Sequence, residues 1–203
     1  MPAPGQFILN KQVIPSELRS REWEAARVDY WRMERAFVMA GKVRFEDAQA
    51  CRNAAAALAN GKVSLIEARR AVREELERAG YRPTPGTAGT IKDIYTPRRL
   101  DVTLKTNVNM ARGYAEKNRL TGNAMYPASE LHRNRQSREP RDWQTRWNEA
   151  AASVNYEGVA RDGSFIALND SPIWAALSRW RTPYPPFDYG SGMWWRPVKW
   201  RVA

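Results

Sequence analysis

Apolar residues recur at helical spacing through much of this chain. Trp23, Ala26, Tyr30, Met33 and Phe37 lie three or four positions apart, which puts them on one face of an α-helix. Pro15 and Ser16 give that helix a start and Gly41 a stop, so the spacing predicts a long helix over 16–40. Val28, Trp31, Arg35 and Val38 form a second, mixed stripe, as expected of a helix covered on two sides or docked on a partner. Ahead of it, Pro2 and Pro4 argue against helix, and Phe7-Ile8-Leu9 reads as a small apolar hook on an extended arm over 1–14. An alanine-rich second helix is predicted over 45–59, ended by Gly61. Ser64-x-x-Glu67 is a capping box that opens a third helix through Ala79, with Leu65, Ala68, Val72, Leu76 and Ala79 inward and Gly80 as its cap.

"RPTPGTAGT", 82–90, has the composition of a linker, which places an internal boundary within 82–97. A fourth helix follows over 98–120, with Leu100, Leu104, Val108, Ala111 and Ala115 as its apolar stripe. Asn107 falls on the same side and needs a hydrogen-bond partner there. The pattern then shortens. A helix is expected over 141–152, a strand over 164–169, a helix over 171–180 stopped by Pro183, and a closing strand or hairpin from Met193 to Trp200, limited by Pro197. The class is α+β and mostly helical: an arm, a helical docking region over 15–81, a linker, and a compact domain over 98–203 with a few short strands near the C-terminus.

Charge changes this picture more than composition does. The net charge is +11; residues 98–146 hold 11 basic and 5 acidic residues. Such an excess favours a polyanion or an acidic protein surface as neighbour, although no basic run exceeds two residues. Nine Trp, eight Tyr and five Phe suit a packed core or an interface. No apolar run approaches a membrane span, and the first ten residues lack the pattern of a signal peptide, so no membrane partner is expected.

Candidate chemistry is sparse. Cys51 and His132 are the sole residues of their kinds, too few for a zinc site or an internal disulfide. Cys51 reads as a small buried residue and His132 as solvated or capping. There is no phosphate loop, dinucleotide fingerprint or nucleophile elbow. Asp162, Asp170 and Asp188 are a loose set that reads as turn formers. The stretch "PPFDYGSGMWW" (185–195) presents three readings: a ligand loop, a substitute for a metal clamp, or a tight turn.

Several stretches in order resemble the phage head morphogenesis family, the minor head proteins of the Mu F type. "RRLDVTLKTNVNMARGYAE" (98–116) is similar to that family's R-L-x-x-I-x-x-T-N helix, and "YPASEL" (126–131) to the segment after it. "RDWQTR" (141–146) resembles R-D-x-R-T/V-R-x-x-H, and "DGSFIALNDSPIW" (162–174) resembles G-x-x-F-x-x-D-D-P-F-W. "PYPPFDYGSGM" (183–193) is similar to P-x-P-P-x-x-x-x-C-R-C. The resemblance spans about residues 60–200. It makes Asn107, Arg141, Asp142, Arg146, Trp174, Pro186, Gly190 and Met193 structural motif positions. It also shows departures. The family's His falls on Glu149, and its two Cys fall on Ser191 and Met193, so no metal or other cofactor is implied and packing must replace that cluster.

The resemblance implies a structural, non-enzymatic role in the virion head, near the portal vertex or the capsid interior. The implied partners are the portal, the major capsid protein or a scaffold protein, with double-stranded DNA as a further partner bound without sequence preference. Arg98, Arg99, Lys105, Arg112, Arg133, Arg135 and Arg138 are the candidates for those charge contacts. Two other readings stay open. A phage-derived effector enzyme would have to use Arg141, Asp142, Arg146 and Glu149, which also read as a structural ion pair. A general nucleic-acid-binding module would need a base-reading motif that the sequence does not display.

Overall fold

The computed structural model describes residues 3–15, 22, 34–39, 43–134, 141–156 and 164–199. It is α+β and mostly helical, and its contacts divide it into two compact units, 1–112 and 113–203.

In the first unit the N-terminal residues are not an extended arm. Pro4–Leu9 form a short helix, α1, and Ile8 is fully buried. Pro4 opens the helix rather than preventing it, because the first helical position has no need of an N–H. No side chain of Ala3 caps α1; instead Asn60 Oδ1 accepts the Gly5 N–H at 2.9 Å. A Cβ on Gly5 would come within 2.5 Å of the Ala56 carbonyl oxygen, so only glycine allows this approach.

Gln12–Ile14 (β1) pairs in parallel with Ala36–Val38 (β2), Val13 opposite Phe37. The predicted helix over 16–40 is thus corrected at its end. Glu34 and Arg35 are helical, but from Ala36 the chain is strand. Phe37 is fully buried, as a strand places it, and its fit to a helical period was coincidental. Most of 16–33 lies outside the described residues.

Phe45–Ala59 form α2 and Leu65–Arg78 form α3, close to the predicted bounds. Buried alanines, among them Ala48, Ala55, Ala56 and Ala68, keep the helix surfaces low where the elements pack. The capping box is present in both directions, with Glu67 N–H donating to Ser64 Oγ and Ser64 N–H to Glu67 Oε2. Residues 82–97, read as a linker, form a run of turns knitted around Asp93. This carboxylate is 5 % exposed and accepts from Tyr81 Oη, Gly89 N–H and Tyr95 N–H. Ile94 beside it joins the core of α2, α3 and the following helix.

That helix, α4, runs from Pro97 to Leu120. Leu100, Leu104, Val108 and Ala111 are buried as the stripe requires, while Ala115 is half-buried. Asn107 meets its need locally, donating to the Thr103 carbonyl one turn back at 2.9 Å.

The second unit holds the end of α4, β3 (Ala128–Arg133), α5 (Trp143–Ser153), β4 (Ile166–Leu168), α6 (Ile173–Leu177) and β5 (Met193–Val198). The strands form one antiparallel sheet in the order β4-β3-β5. The central strand, β3, falls in a stretch whose pattern gave no element. Pro197 is tolerated within β5 because that strand lies at the sheet's edge. α6 ends at Leu177, earlier than Pro183, since Ser178 turns extended.

Lys11 gives the first unit a pH signature. It is 2 % exposed, and burial lowers its ammonium from 10.5 to about 8 against the opposing pull of Glu34. A lowered folded-state value means the unfolded chain binds the proton more tightly between about 8 and 10.5. Lysine's contribution to stability should therefore rise across that window. Urea melts of wild type and Lys11→Met should show wild type gaining on the variant as pH climbs through it; a constant difference would contradict this placement.

Candidate functional site

The candidate residues fall into two places and one gap. Arg98, Lys105 and Arg112 lie on α4 at intervals of seven residues. Seven residues turn the chain to within about 20° of two full turns and advance it about 10 Å, so the three cations make one stripe. All three are exposed. Arg98 and Arg112 form no ion pair or side-chain hydrogen bond among the described residues. Lys105 pairs with Asp101 at 3.0 Å, and Asp101 also meets Arg69 Nε of α3 at 3.4 Å. Arg99 does not belong to this stripe. One residue on means a rotation of about 100°, which leaves it half-buried and near enough to Cys51 to act on its thiol. Burial, and then Asp47, push that thiol up to about 12, so Cys51 is a protonated core residue and not a nucleophile.

Arg133 ends β3, half-buried and opposite Met193. Arg135 and Arg138 lie outside the described residues.

The motif positions of the second unit converge on its closing loop. Asp188 is 4 % exposed and stands among three arginines. Arg146 Nη1 reaches its Oδ2 at 2.8 Å, Arg141 Nε the same oxygen at 3.5 Å, and Arg179 Nη1 its Oδ1 at 3.5 Å. Arg146 also donates from Nε to the Leu177 carbonyl at 3.0 Å and from Nη2 to the Phe187 carbonyl at 3.5 Å. Arg141 Nη2 donates to the Tyr189 carbonyl at 2.8 Å. One carboxylate and two guanidiniums thus tie the start of α5 to the end of α6 and to the loop.

Within the loop, Ser191 is the seam. Its hydroxyl donates to the Pro186 carbonyl at 2.5 Å and accepts the Met193 N–H at 3.1 Å. Gly190 sits at φ 56° and Gly192 at φ 68°, where the chain reverses into β5. The Pro185-Pro186 bond is cis. A Cβ on Gly113 of α4 would lie 2.0 Å from the Pro185 carbonyl oxygen, so the loop rests directly on that helix. Beneath it Trp174, fully buried, has its ring centroid 5.2 Å from that of Trp195, 5.5 Å from that of Trp147 and 5.8 Å from that of Phe187. Met193 and Trp195 are buried in the same wall, whereas Trp194 points to the other face of β5.

Asp142 and Arg146, which an enzyme reading would use, each have a structural partner. Asp142 caps α5 by accepting from Thr145 N–H at 3.0 Å and Thr145 Oγ1 at 2.7 Å, and these bonds hold its carboxyl below its ordinary range. Arg146 faces Asp188, and Glu149 is exposed on α5. Among the described residues no group of three His, Cys, Asp or Glu could hold a metal ion, and no helix is long and apolar enough to cross a membrane. Sequence reasoning missed Arg179 and the part played by Asp188. Distance along the chain hid them: Asp188 lies 42 residues from Arg146, and nothing local marks the pair.

Asp188→Asn keeps the shape and removes the charge, leaving three guanidiniums facing one another. It should lower unfolding free energy by about 2–4 kcal/mol in urea melts. Glu149→Gln, on an exposed position, should change it by less than about 0.5 kcal/mol. Equal small effects from both would show that the cluster holds nothing together.

Comparison with family models, with curated proteins and with solved structures finds no match to this chain.

Proposed function

We propose that this chain is a structural minor head protein of a tailed phage or prophage, acting in head assembly beside the portal or the capsid wall and touching packaged DNA through its phosphates. The observation that carries the DNA contact is the α4 stripe. Three exposed cations spaced about 10 Å apart along one helix can follow a charged backbone, and two of them lack an intramolecular counter-ion among the described residues. None of the three is placed to read a base edge by a recognised motif, so binding without sequence preference is the mode that fits. The head role rests on the ordered resemblance to Mu F-type proteins. The closing loop supports it, because at the family's cysteine positions Ser191 and Met193 serve packing. The portal, the major capsid protein or a scaffold protein would be the protein partner.

Duplex binding followed by fluorescence anisotropy across a salt series tests the DNA contact. Log affinity should fall linearly with log salt, and replacing Arg98, Lys105 and Arg112 together by Gln should cut the slope by about 2–3. An unchanged slope would contradict the assignment to α4. Sequence preference among duplexes would favour a general nucleic-acid-binding module instead.

A further inference from the structure

The α4 stripe has a second wall on α3. Asp101 of α4 meets Arg69 Nε of α3 at 3.4 Å, so the two helices touch along one flank of each. From Asp101, the stripe cations Arg112, Lys105 and Arg98 are turned about 20°, 40° and 60° around α4, all in the same sense. The buried Leu100, Leu104, Val108 and Ala111 lie in the opposite sense. The same holds on α3. Arg73 is turned about 40° from Arg69, away from the buried Ala68, Val72 and Leu76. With the core beneath both helices, Arg73 and the α4 stripe therefore rise on the same side of the seam that Arg69 and Asp101 join.

Arg73 differs from the paired arginines of this chain. It is half-buried and forms no ion pair or hydrogen bond among the described residues. Its guanidinium carbon lies 4.2 Å from the centroid of the Tyr95 ring. Of its three nitrogens only Nε is buried, without an acceptor, so the unpartnered Nη1 and Nη2 reach solvent. Tyr95 is fixed at both ends. Its N–H donates to Asp93 Oδ1 at 2.9 Å, and its hydroxyl donates to Glu77 Oε1. Glu77 lies one turn on from Arg73 and is engaged by that hydroxyl. A ring beneath a guanidinium sets its plane without neutralising its charge or using its donors. An oriented fork with free donors is what a phosphate group takes.

We propose that the nucleic-acid site is two helices wide, with Arg73 of α3 as a phosphodiester contact across the seam from the α4 stripe and Tyr95 as its positioning residue. This rests on the DNA reading above.

Duplex anisotropy titrations of the full chain across a salt series test it. Arg73→Gln should weaken duplex binding about tenfold at low salt and lower the slope of log affinity against log salt by about 1. Arg78→Gln, about 140° further round α3, should leave the slope unchanged. Tyr95→Leu should weaken binding too, and adding it to Arg73→Gln should weaken it no further, since the ring acts through the guanidinium. Tyr95→Phe keeps the ring and should bind within about twofold of wild type. If Tyr95→Leu does not give a native circular dichroism spectrum, Arg73→Lys supplies the reading. It keeps the charge without the planar fork, and should bind more weakly than wild type at an unchanged slope. An unchanged slope in Arg73→Gln, an equal loss in Arg78→Gln, additive losses from Arg73→Gln and Tyr95→Leu, or wild-type affinity in Arg73→Lys would overturn the proposal. If Arg73→Gln keeps the slope while the α4 triple variant loses it, the DNA reading stands without this second row. The reverse result keeps the row and contradicts the α4 assignment. Wild type that binds no duplex at low salt would overturn both.

Discussion

The carboxylate of Asp188 is the point on which the second unit turns. Buried and shared among Arg141, Arg146 and Arg179, it can be tolerated only because it is paired. In satisfying it, the arginines also reach the carbonyls of Leu177, Phe187 and Tyr189. Phe187 and Tyr189 belong to a loop with no ladder of its own, Leu177 ends α6, and the Phe187 carbonyl also accepts the Arg179 N–H at 2.9 Å. The same bonds hold the loop over Trp174 and deliver Met193 and Trp195 to the wall of the core. Charge, backbone satisfaction and aromatic packing therefore depend on one side chain.

The loop is closed by its own side chains. A ligand set would clamp the chain through a shared ion. Here Ser191 clamps it through its hydroxyl, acting as donor and acceptor at once, and the apolar Met193 fills space next to it. The first unit uses the same device at Asp93, whose carboxylate gathers Tyr81, Gly89 and Tyr95 and lets a polar, glycine-rich segment pack beside Ile94. In both units a buried acid organises a loop.

Much of the helical frame was legible, because periodicity, capping and glycine stops are local. The capping box at Ser64, the stripe on α4 and the bounds of α2 and α3 follow from residues within a few positions of one another. What was hidden is nonlocal. Phe37 fits a helical period as well as a strand, and its pairing with Val13 decided the matter. Pro4 looked like a barrier and proved to be a start, since its helix is capped from Asn60. The composition of 82–97 suggested a spacer, but a single buried Asp turned it into packed structure. At the candidate site, Arg141 and Arg146 were visible as a motif, whereas Asp188 and Arg179 gained their roles only when folding brought them together.

The closing loop is a packed part of the core. Native-state hydrogen exchange at the amides of Tyr189, Ser191 and Met193 tests it most directly, because each donates to a named acceptor within the loop. These amides should exchange only through opening as costly as that of the β3-β5 ladder, with the same dependence on denaturant. Rapid exchange independent of denaturant, beside a protected ladder, would contradict the account.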